Sequence, residues 1–328
     1  MARVPHSVRP TLLSRALTNT TVVVVSTVFS VLALEGLVRV FAWRPVFGRL
    51  LVVRGSATRS VDGVPLWNDG HPRWDADDLQ RFSTDRGSFK ILGLGDSILY
   101  GDRLTKEETY LEQTRHLLER RSTRPVEVLN LAVKGYNTMQ ENAVYKEVEG
   151  RIRPDLVLVH FGTDDAHQYR AVGGYVVDFN DMSEVDSRLV VRALPLPPRV
   201  NDFLLVRSRL YDLLNQVVMD RRKSEPTDWS RVSDPLLDIE ERVRRAGGRL
   251  LVLASPNLDG PSPRPNDHLP GLLQLGSSHG IEVIDLSEWL AGFSPSQIAF
   301  DGCHFNADGQ RLIAERLSEY LLAHDLKE

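Results

Sequence analysis

The chain has 328 residues, of which 42% are hydrophobic and 26% charged, and its formal net charge is −4 at pH 7. This size fits one globular domain with additional segments, and the weakly acidic balance lacks the basic surface expected of a nucleic-acid-binding protein. The single cysteine, Cys303, excludes a disulfide within the chain, and no Cys and His residues have the spacing of a zinc site. The composition therefore predicts no nucleic-acid partner and no metal, and nothing in it points to a cofactor.

The first predicted element is an apolar stretch near the N-terminus. Residues 16–34 carry no charge, and apolar residues continue to Trp43, interrupted only by Gly36, Glu35 and Arg39. The stretch reaches the roughly 20 residues that are needed to cross a bilayer. Glu35 and Arg39 lie one helical turn apart and can pair, and a Trp at the end of the stretch suits the membrane interface.

We interpret this stretch as a transmembrane anchor over residues 19–43, preceded by a cytoplasmic tail over residues 1–18. Two alternatives are a signal peptide cleaved after Val31-Leu32-Ala33 and the core helix of a soluble domain. The positive-inside rule leaves the orientation open, because arginines lie on both sides of the stretch. They are Arg3, Arg9 and Arg15 before it and Arg39, Arg44, Arg49 and Arg54 after it.

Residues 44–88 contain several Pro, Gly and Asp, and we interpret them as a connector with a few short strands. From residue 89 to residue 328, apolar runs alternate with amphipathic patterns. The predicted strands are Phe89–Gly95, Val126–Leu131, Asp155–Phe161, Arg249–Ala254 and Ile281–Leu286. The predicted helices are Glu107–Arg121, Gln140–Glu149, Pro235–Ala246, Leu269–His279 and Ala307–Ala323. This alternation predicts an α/β domain with a parallel sheet of about five strands, covered on both faces.

Residues 166–232 interrupt the alternation. They contain Gly and Pro clusters and one predicted helix around Asp202–Arg221. Because long insertions at the ends of strands are often functional, we interpret this segment as a cap-like insertion near the site. The alternative is a packed helical hairpin with no role in substrate binding.

Candidate catalytic residues follow the predicted strands. Ser97 follows the first strand in Gly95-Asp96-Ser97, where the glycine permits a tight turn and Asp96 can cap the next one. His304 and Asp301 follow the last strand, and the carboxyl ends of parallel strands share one edge of the sheet. Ser97 is thus a candidate nucleophile, His304 its general base and Asp301 the group that orients the imidazole. Taken singly, each motif also fits an ordinary capped turn or helix start.

An acyl-transfer reaction also needs hydrogen-bond donors directed at the oxyanion that forms. The backbone N–H groups of Ser97 and Gly135 are candidates, because Gly135 follows the second strand and a glycine allows close approach to a substrate. A turn that requires positive φ would explain the same glycine.

Together these motifs resemble the SGNH (GDSL-type) hydrolase superfamily over about residues 88 to 325. In chain order they are Gly95-Asp96-Ser97 with Gly101, then Gly135, then Gly162-Thr163-Asp164-Asp165, and finally Asp301-x-x-His304. Residues 34–39 and 128–140, followed by Arg153-Pro154-Asp155, are similar to bacterial membrane-anchored members. The resemblance implies a three-layer α/β/α, flavodoxin-like fold, no metal, and hydrolysis or transfer of O-acyl groups. It also favours a catalytic domain on the extracytoplasmic side of the bacterial inner membrane.

The third motif departs from the family pattern, which has Asn where this chain has Asp164. The family's Asn side chain donates to the oxyanion, whereas an ionised carboxylate can only accept hydrogen bonds. Three alternatives remain open. Asp164 could be protonated through burial beside Asp165, another donor such as Asn137 or Thr163 could replace it, or the enzyme could be slow or inactive.

The sequence thus predicts a serine esterase or O-acyl transferase, with acetyl as the favoured acyl group. Its expected partners are an ester of a glycan, a lipid or a secreted metabolite, and the membrane through the N-terminal helix. The alternative function is that of a catalytically weak or inactive binding or assembly subunit of an envelope polysaccharide system.

Overall fold

The computed structural model describes residues 12–41, 59–62, 64–66, 76–84, 87–166, 169–172, 175–178, 182–185, 188–191, 194–222 and 228–326. Most of the predicted tail and part of the predicted connector lie outside these residues, as does Trp43. The described part of the connector forms a hairpin of strands β1 (Arg59–Val61) and β2 (Val64–Leu66) and a helix, α2 (Ala76–Thr84).

The domain that follows is built on a parallel sheet of five strands, as the sequence predicts. The strands are β3 (Phe89–Gly95), β4 (Val126–Asn130), β5 (Leu156–Phe161), β10 (Arg249–Ala254) and β11 (Glu282–Asp285). Their order across the sheet is β11-β10-β5-β3-β4. The chain therefore winds in both directions from β3, and the order reverses between β3 and β5, where doubly wound folds bind their ligands.

Side chains on the central strands alternate between two hydrophobic clusters. Leu92 and Leu94 belong to the cluster on one face of the sheet, and Phe89 and Ile91 belong to the cluster on the other. Strands buried on both faces carry apolar residues on both, which is why they are nearly continuous hydrophobic runs in the sequence.

Helices cover both faces of this sheet, giving three layers. Helices α4 (Tyr110–Glu119) and α12 (Ala307–His324) pack together on one face, and α5 (Thr138–Val148) and α8 (Ser230–Arg245) pack together on the other. The remaining helices of the domain core are α3 (Ser97–Tyr100), α9 (Leu269–His279), α10 (Leu286–Trp289) and α11 (Pro295–Ile298). Helix α8 begins at Ser230, five residues before the predicted start at Pro235. Pro235 is buried inside the helix, so packing of the apolar face outweighs the loss of one backbone hydrogen bond.

The insertion differs from its prediction. Two antiparallel hairpins precede its helical part: β6 (Tyr169–Val172) with β7 (Tyr175–Asp178), and β8 (Met182–Val185) with β9 (Arg188–Val191). The single helix predicted around Asp202–Arg221 is instead two helices, α6 (Pro198–Arg207) and α7 (Arg209–Arg222). They divide at Ser208, whose φ of −112° and ψ of 116° are those of an extended strand residue.

At the N-terminus, helix α1 runs from Leu12 to Phe41. Its segment Asn19–Phe41 is long and apolar enough to cross a membrane, and the most apolar part of this span is not buried in the protein. Among the described residues, the C-terminal end of this helix contacts α7 and the residue before it, Ser208.

Candidate active site

Ser97 is the first residue of the short helix α3, directly after strand β3. Asp96 caps this helix, and its Oδ1 accepts a hydrogen bond from the Ile98 N–H at 2.8 Å. Gly95 is needed for packing, since a Cβ there would lie 2.8 Å from the Cβ of Leu99. The strand-to-helix turn thus presents the serine at the end of the sheet with its side chain partly exposed.

His304 and Asp301 meet Ser97 at this edge, although Ser97 and His304 are 207 positions apart in the chain. Ser97 Oγ lies 2.9 Å from His304 Nε2, and His304 Nδ1 lies 2.9 Å from Asp301 Oδ1. With the ring proton on Nδ1, the imidazole donates to the carboxylate and accepts from the serine hydroxyl. This is the arrangement that an activated serine requires.

Asp301 is held as an anion by its surroundings. Its partial burial would raise the pKa of the carboxyl, but hydrogen bonds from the backbone N–H groups of His304 and Cys303 and from the His304 ring lower it well below its usual range. A carboxylate that stays charged at neutral pH can stabilise an imidazolium next to it.

Gln310 in helix α12 connects the C-terminal segment to the nucleophile. Its Nε2 donates to the Ile98 carbonyl at 3.2 Å, and its Oε1 accepts from the Tyr110 N–H at 2.7 Å. The side chain is 1% exposed, so both hydrogen bonds are shielded from water. Because α12 starts three residues after His304, the contact helps to fix the histidine relative to Ser97.

The loop after strand β4 brings Gly135 beside the nucleophile turn. The backbone of this loop runs beside the end of β3, where the Val133 N–H donates to the Gly95 carbonyl at 3.1 Å. Lys134 pairs with Asp102 at 2.5 Å and lies over the Tyr100 ring, which joins the loop to the helix of Ser97.

Both predicted backbone donors therefore lie at this edge of the sheet. Gly135 has a φ of 71°, which explains the glycine conformationally and is compatible with a role as donor. The amides of Ser97 and Gly135 have no hydrogen-bond acceptor among the described residues. The oxyanion role of both N–H groups stays a prediction.

Asp164 lies in a short 3₁₀ helix, Thr163–Ala166, directly after strand β5 and Gly162. Its side chain lies outside the described residues, so its predicted place at the oxyanion site stays a prediction. The neighbouring Asp165 is buried, and its Oδ2 accepts from the Gly162 N–H at 2.6 Å, which fixes the turn.

Asn137 is positioned by the capping box at the start of helix α5. Its Oδ1 accepts from the Gln140 N–H at 3.2 Å, and its own N–H donates to Gln140 Oε1 at 3.2 Å. Within the described part of the chain, the side-chain nitrogen has no acceptor. The residue stands two positions after Gly135, and it could therefore donate to a bound group.

Arg103 is a residue of the site that the sequence analysis missed. Its Nη2 donates to Asp301 Oδ2 at 3.0 Å, and its guanidinium lies 5.4 Å from the centre of the Phe300 ring. The backbone has a φ of 66°, a strained conformation for arginine of the kind that clusters at functional sites. Arg103 and Asp301 are 198 positions apart, and no local sequence pattern predicts their contact. Sequence reasoning therefore could not have found this residue.

A buried pair of aromatic residues lies behind the nucleophile turn. Tyr110 Oη is 2.8 Å from His160 Nδ1, and both side chains are fully buried. Burial lowers the pKa of His160 to about 3, so its ring is neutral at neutral pH, and its tautomer sets which of the two groups donates in this hydrogen bond.

One group of side chains at the site has the donors of a metal centre. Ligand atoms of Asp301, Cys303 and His304 lie within 4.8 Å of one another. The Asp301–His304 hydrogen bond and the Cys303 Sγ, 3.3 Å from His304 Nδ1, account for this closeness without an ion.

The doubly wound sheet and the serine–histidine–aspartate contacts at its edge define a class of three-layer α/β protein with the geometry of a serine hydrolase. Residues 94–312, about two thirds of the chain, match the GDSL-like lipase/acylhydrolase family. The chain belongs to this family, whose members act as hydrolases of ester bonds. Comparison with curated proteins gives no match.

Several solved structures are similar to this chain. A member of the lipolytic G-D-S-L family from Veillonella parvula is 16% identical, with 70% of this chain and 96% of that chain covered and a TM-score of 0.43. An acetylxylan esterase from Geobacillus stearothermophilus is 16% identical, with coverage of 71% and 94% and a TM-score of 0.45. A lipase/acylhydrolase from Enterococcus faecalis is 16% identical, with coverage of 73% and 98% and a TM-score of 0.44. At these values the likeness carries no argument about the substrate of this chain.

Proposed function

We propose that this protein is a serine-dependent esterase or O-acyl transferase that works through an acyl-enzyme on Ser97. The observation that carries the proposal is the chain of contacts from Ser97 Oγ through the His304 ring to Asp301, each 2.9 Å long. Ser97 and His304 are partly exposed, so an ester could reach them from solvent.

The reaction would follow two acyl-transfer steps. Ser97 Oγ attacks the carbonyl carbon of the ester while its proton moves to His304 Nε2, and the resulting imidazolium is stabilised by Asp301. When the tetrahedral intermediate collapses, the bond to the leaving alcohol breaks and His304 returns the proton to that alcohol. Water, or an acceptor hydroxyl in a transferase, then attacks the acyl-enzyme with His304 again as base.

The oxyanion site would have two backbone donors and one side-chain donor. Ser97 and Gly135 supply the backbone N–H groups in this proposal. For the third donor we favour Asn137, because its carbonyl oxygen caps helix α5 and its amide nitrogen is left to donate. In this proposal Asp164 is an ionised carboxylate and donates no hydrogen bond to the oxyanion.

We propose further that α1 is a single-pass anchor in a bacterial inner membrane, with residues 89–328 as the extracytoplasmic catalytic domain. The apolar span Asn19–Phe41 supports this assignment. The substrate class would be an O-acyl, foremost O-acetyl, ester of a glycan, a lipid or a secreted metabolite.

Covalent labelling tests the nucleophile. The full-length protein in detergent is treated with a panel of fluorophosphonate probes, beside a Ser97→Ala variant whose folding is verified by its thermal transition. We expect labelling of the wild type and none of Ser97→Ala. A folded wild-type protein that resists every probe would refute the proposal.

A second candidate function is that of a binding or assembly subunit with little activity. The observation that favours it is Asp164, which stands where the family pattern has Asn. An ionised carboxylate at the oxyanion site would oppose the developing charge. If this reading holds, Asp164→Asn should raise the turnover of p-nitrophenyl acetate. A fall in turnover would instead give the carboxylate a role of its own.

A further inference from the structure

The C-terminal end of helix α1 is tied to the junction between α6 and α7. The Glu35 carboxylate accepts hydrogen bonds from Ser208 Oγ at 2.7 Å and from the N–H groups of Arg209 and Leu210 at 3.0 Å each. It thereby caps the start of α7, where unpaired N–H groups favour an anion. Arg39 pairs with Glu35 at 2.7 Å and donates to the Arg207 carbonyl at the end of α6.

These contacts fix the depth of the junction relative to the apolar span. Glu35 lies six residues before Phe41, the last residue of the span. At a rise of about 1.5 Å per residue, the junction therefore sits about 9 Å inside that end of the helix. Helices that lie in a membrane interface are buried to a depth of about 5–10 Å.

Large apolar side chains are exposed on both sides of the junction. Each is between 41% and 58% exposed, and together we call them the elbow surface: Val200, Phe203, Val206, Leu214 and Val217. Phe203 and Val206 lie within about one turn of the end of α6, and Leu214 lies about one turn after Leu210. Such an exposed apolar surface usually marks an interaction site.

Basic side chains accompany the elbow surface. The Arg207 guanidinium lies 4.2 Å from the centre of the Phe203 ring, and Arg199 is exposed one residue before Val200. An apolar face rimmed by arginines is typical of helices that bind anionic lipid surfaces.

We infer that the elbow surface is a membrane-docking surface, which enters the lipid interface beside α1 and holds the insertion against the bilayer. The inference rests on the proposed anchoring of α1. A lipid surface is favoured over a protein partner because the elbow surface flanks a junction that Glu35 and Arg39 tie to the span at interfacial depth, and because arginines accompany it. Docking at a second point would restrict the rotation of the catalytic domain about its anchor.

Site-specific photocrosslinking tests this inference in the full-length protein. Phe203 is replaced by p-benzoylphenylalanine, and Leu273 in α9 is replaced in the same way as a matched control, since it is a helical apolar residue with 48% exposure. Both proteins are reconstituted into vesicles of phosphatidylethanolamine and phosphatidylglycerol, floated on a density gradient and irradiated. Lipid adducts are quantified by mass spectrometry.

We expect both proteins to float and position 203 to give several-fold more lipid adduct than position 273. Floating protein with equal or no adduct at position 203 would overturn the docking and leave the anchoring intact. Crosslinks from position 203 to a second copy of the chain would assign the surface to a dimer and also overturn it. Protein that fails to float would overturn the anchoring and the docking together, and fluorophosphonate labelling would still report on Ser97 independently.

Discussion

Replacing Asn137 tests whether this residue supplies the amide donor that the third motif lacks. Asn137 has two separable roles, because Oδ1 caps helix α5 by accepting from the Gln140 N–H at 3.2 Å while the amide nitrogen has no acceptor among the described residues. Asp at this position would retain the cap, since Asp and Asn are about equally good N-cap residues. It would remove the donor and add a negative charge.

The loss of one oxyanion donor costs about 2.7–4 kcal/mol of transition-state stabilisation, or about 10²–10³ in kcat. We therefore expect Asn137→Asp to lower kcat for p-nitrophenyl acetate by at least that factor, with little change in the thermal midpoint. Asn137→Ser retains a cap without the added charge, so its kcat separates the lost amide from electrostatic repulsion. The assay is steady-state kinetics of the full-length protein in detergent.

Gln140→Ala is the structural control. It removes the other half of the capping box, in which Gln140 Oε1 accepts from the Asn137 N–H, and should cost about 0.5–2 kcal/mol of stability while kcat is retained. Wild-type kcat in both Asn137 variants would refute the assignment of the donor. An equal fall in Gln140→Ala would show that the capped helix, and not the amide, matters.

Three other residues give independent predictions. Asp301→Asn retains an oxygen for the His304 ring but removes the charge that stabilises the imidazolium, so kcat should fall about 10⁴-fold; a loss below tenfold would contradict that role. Burial lowers the pKa of His160 from 6.5 to about 3, so the unfolded chain takes up the proton first as pH falls. The free energy of unfolding should therefore decline between about pH 6.5 and 3, by at most about 1.4 kcal/mol per pH unit, and His160→Gln should flatten this slope in urea unfolding; an unchanged slope would assign the decline to other groups. Glu35→Ala should destabilise the start of α7 by about 1 kcal/mol, seen as faster hydrogen exchange at residues 208–211, whereas Glu35→Gln, which keeps one of the two acceptor oxygens, should retain part of the protection. Equal exchange in the wild type and Glu35→Ala would contradict the capping role.

Local patterns in the sequence were sufficient to predict the strands and helices of the α/β core. The central strands are buried on both faces and are therefore continuous apolar runs, and Leu269–His279 has the predicted bounds because Gly280, with a φ of 74°, ends it. In the insertion, local patterns did not predict the two hairpins or the division of the helical part into two helices. Its two hairpins have strands of only four residues, and the break at Ser208 depends on Glu35, which lies 173 positions away.

The sequence by itself determined the candidate nucleophile, base and orienting carboxylate, since motif spacing and their places after predicted strands singled out Ser97, His304 and Asp301. Only the tertiary structure decided that the His304 ring lies 2.9 Å from both Ser97 Oγ and Asp301 Oδ1. It likewise decided that Arg103 contacts Asp301 and that α1 is tied to the insertion. The physical reason is the range of the interactions involved. Hydrophobic periodicity and turn chemistry are local properties of the chain, whereas a hydrogen bond between residues some 200 positions apart exists only after the sheet and its flanking helices have brought them together.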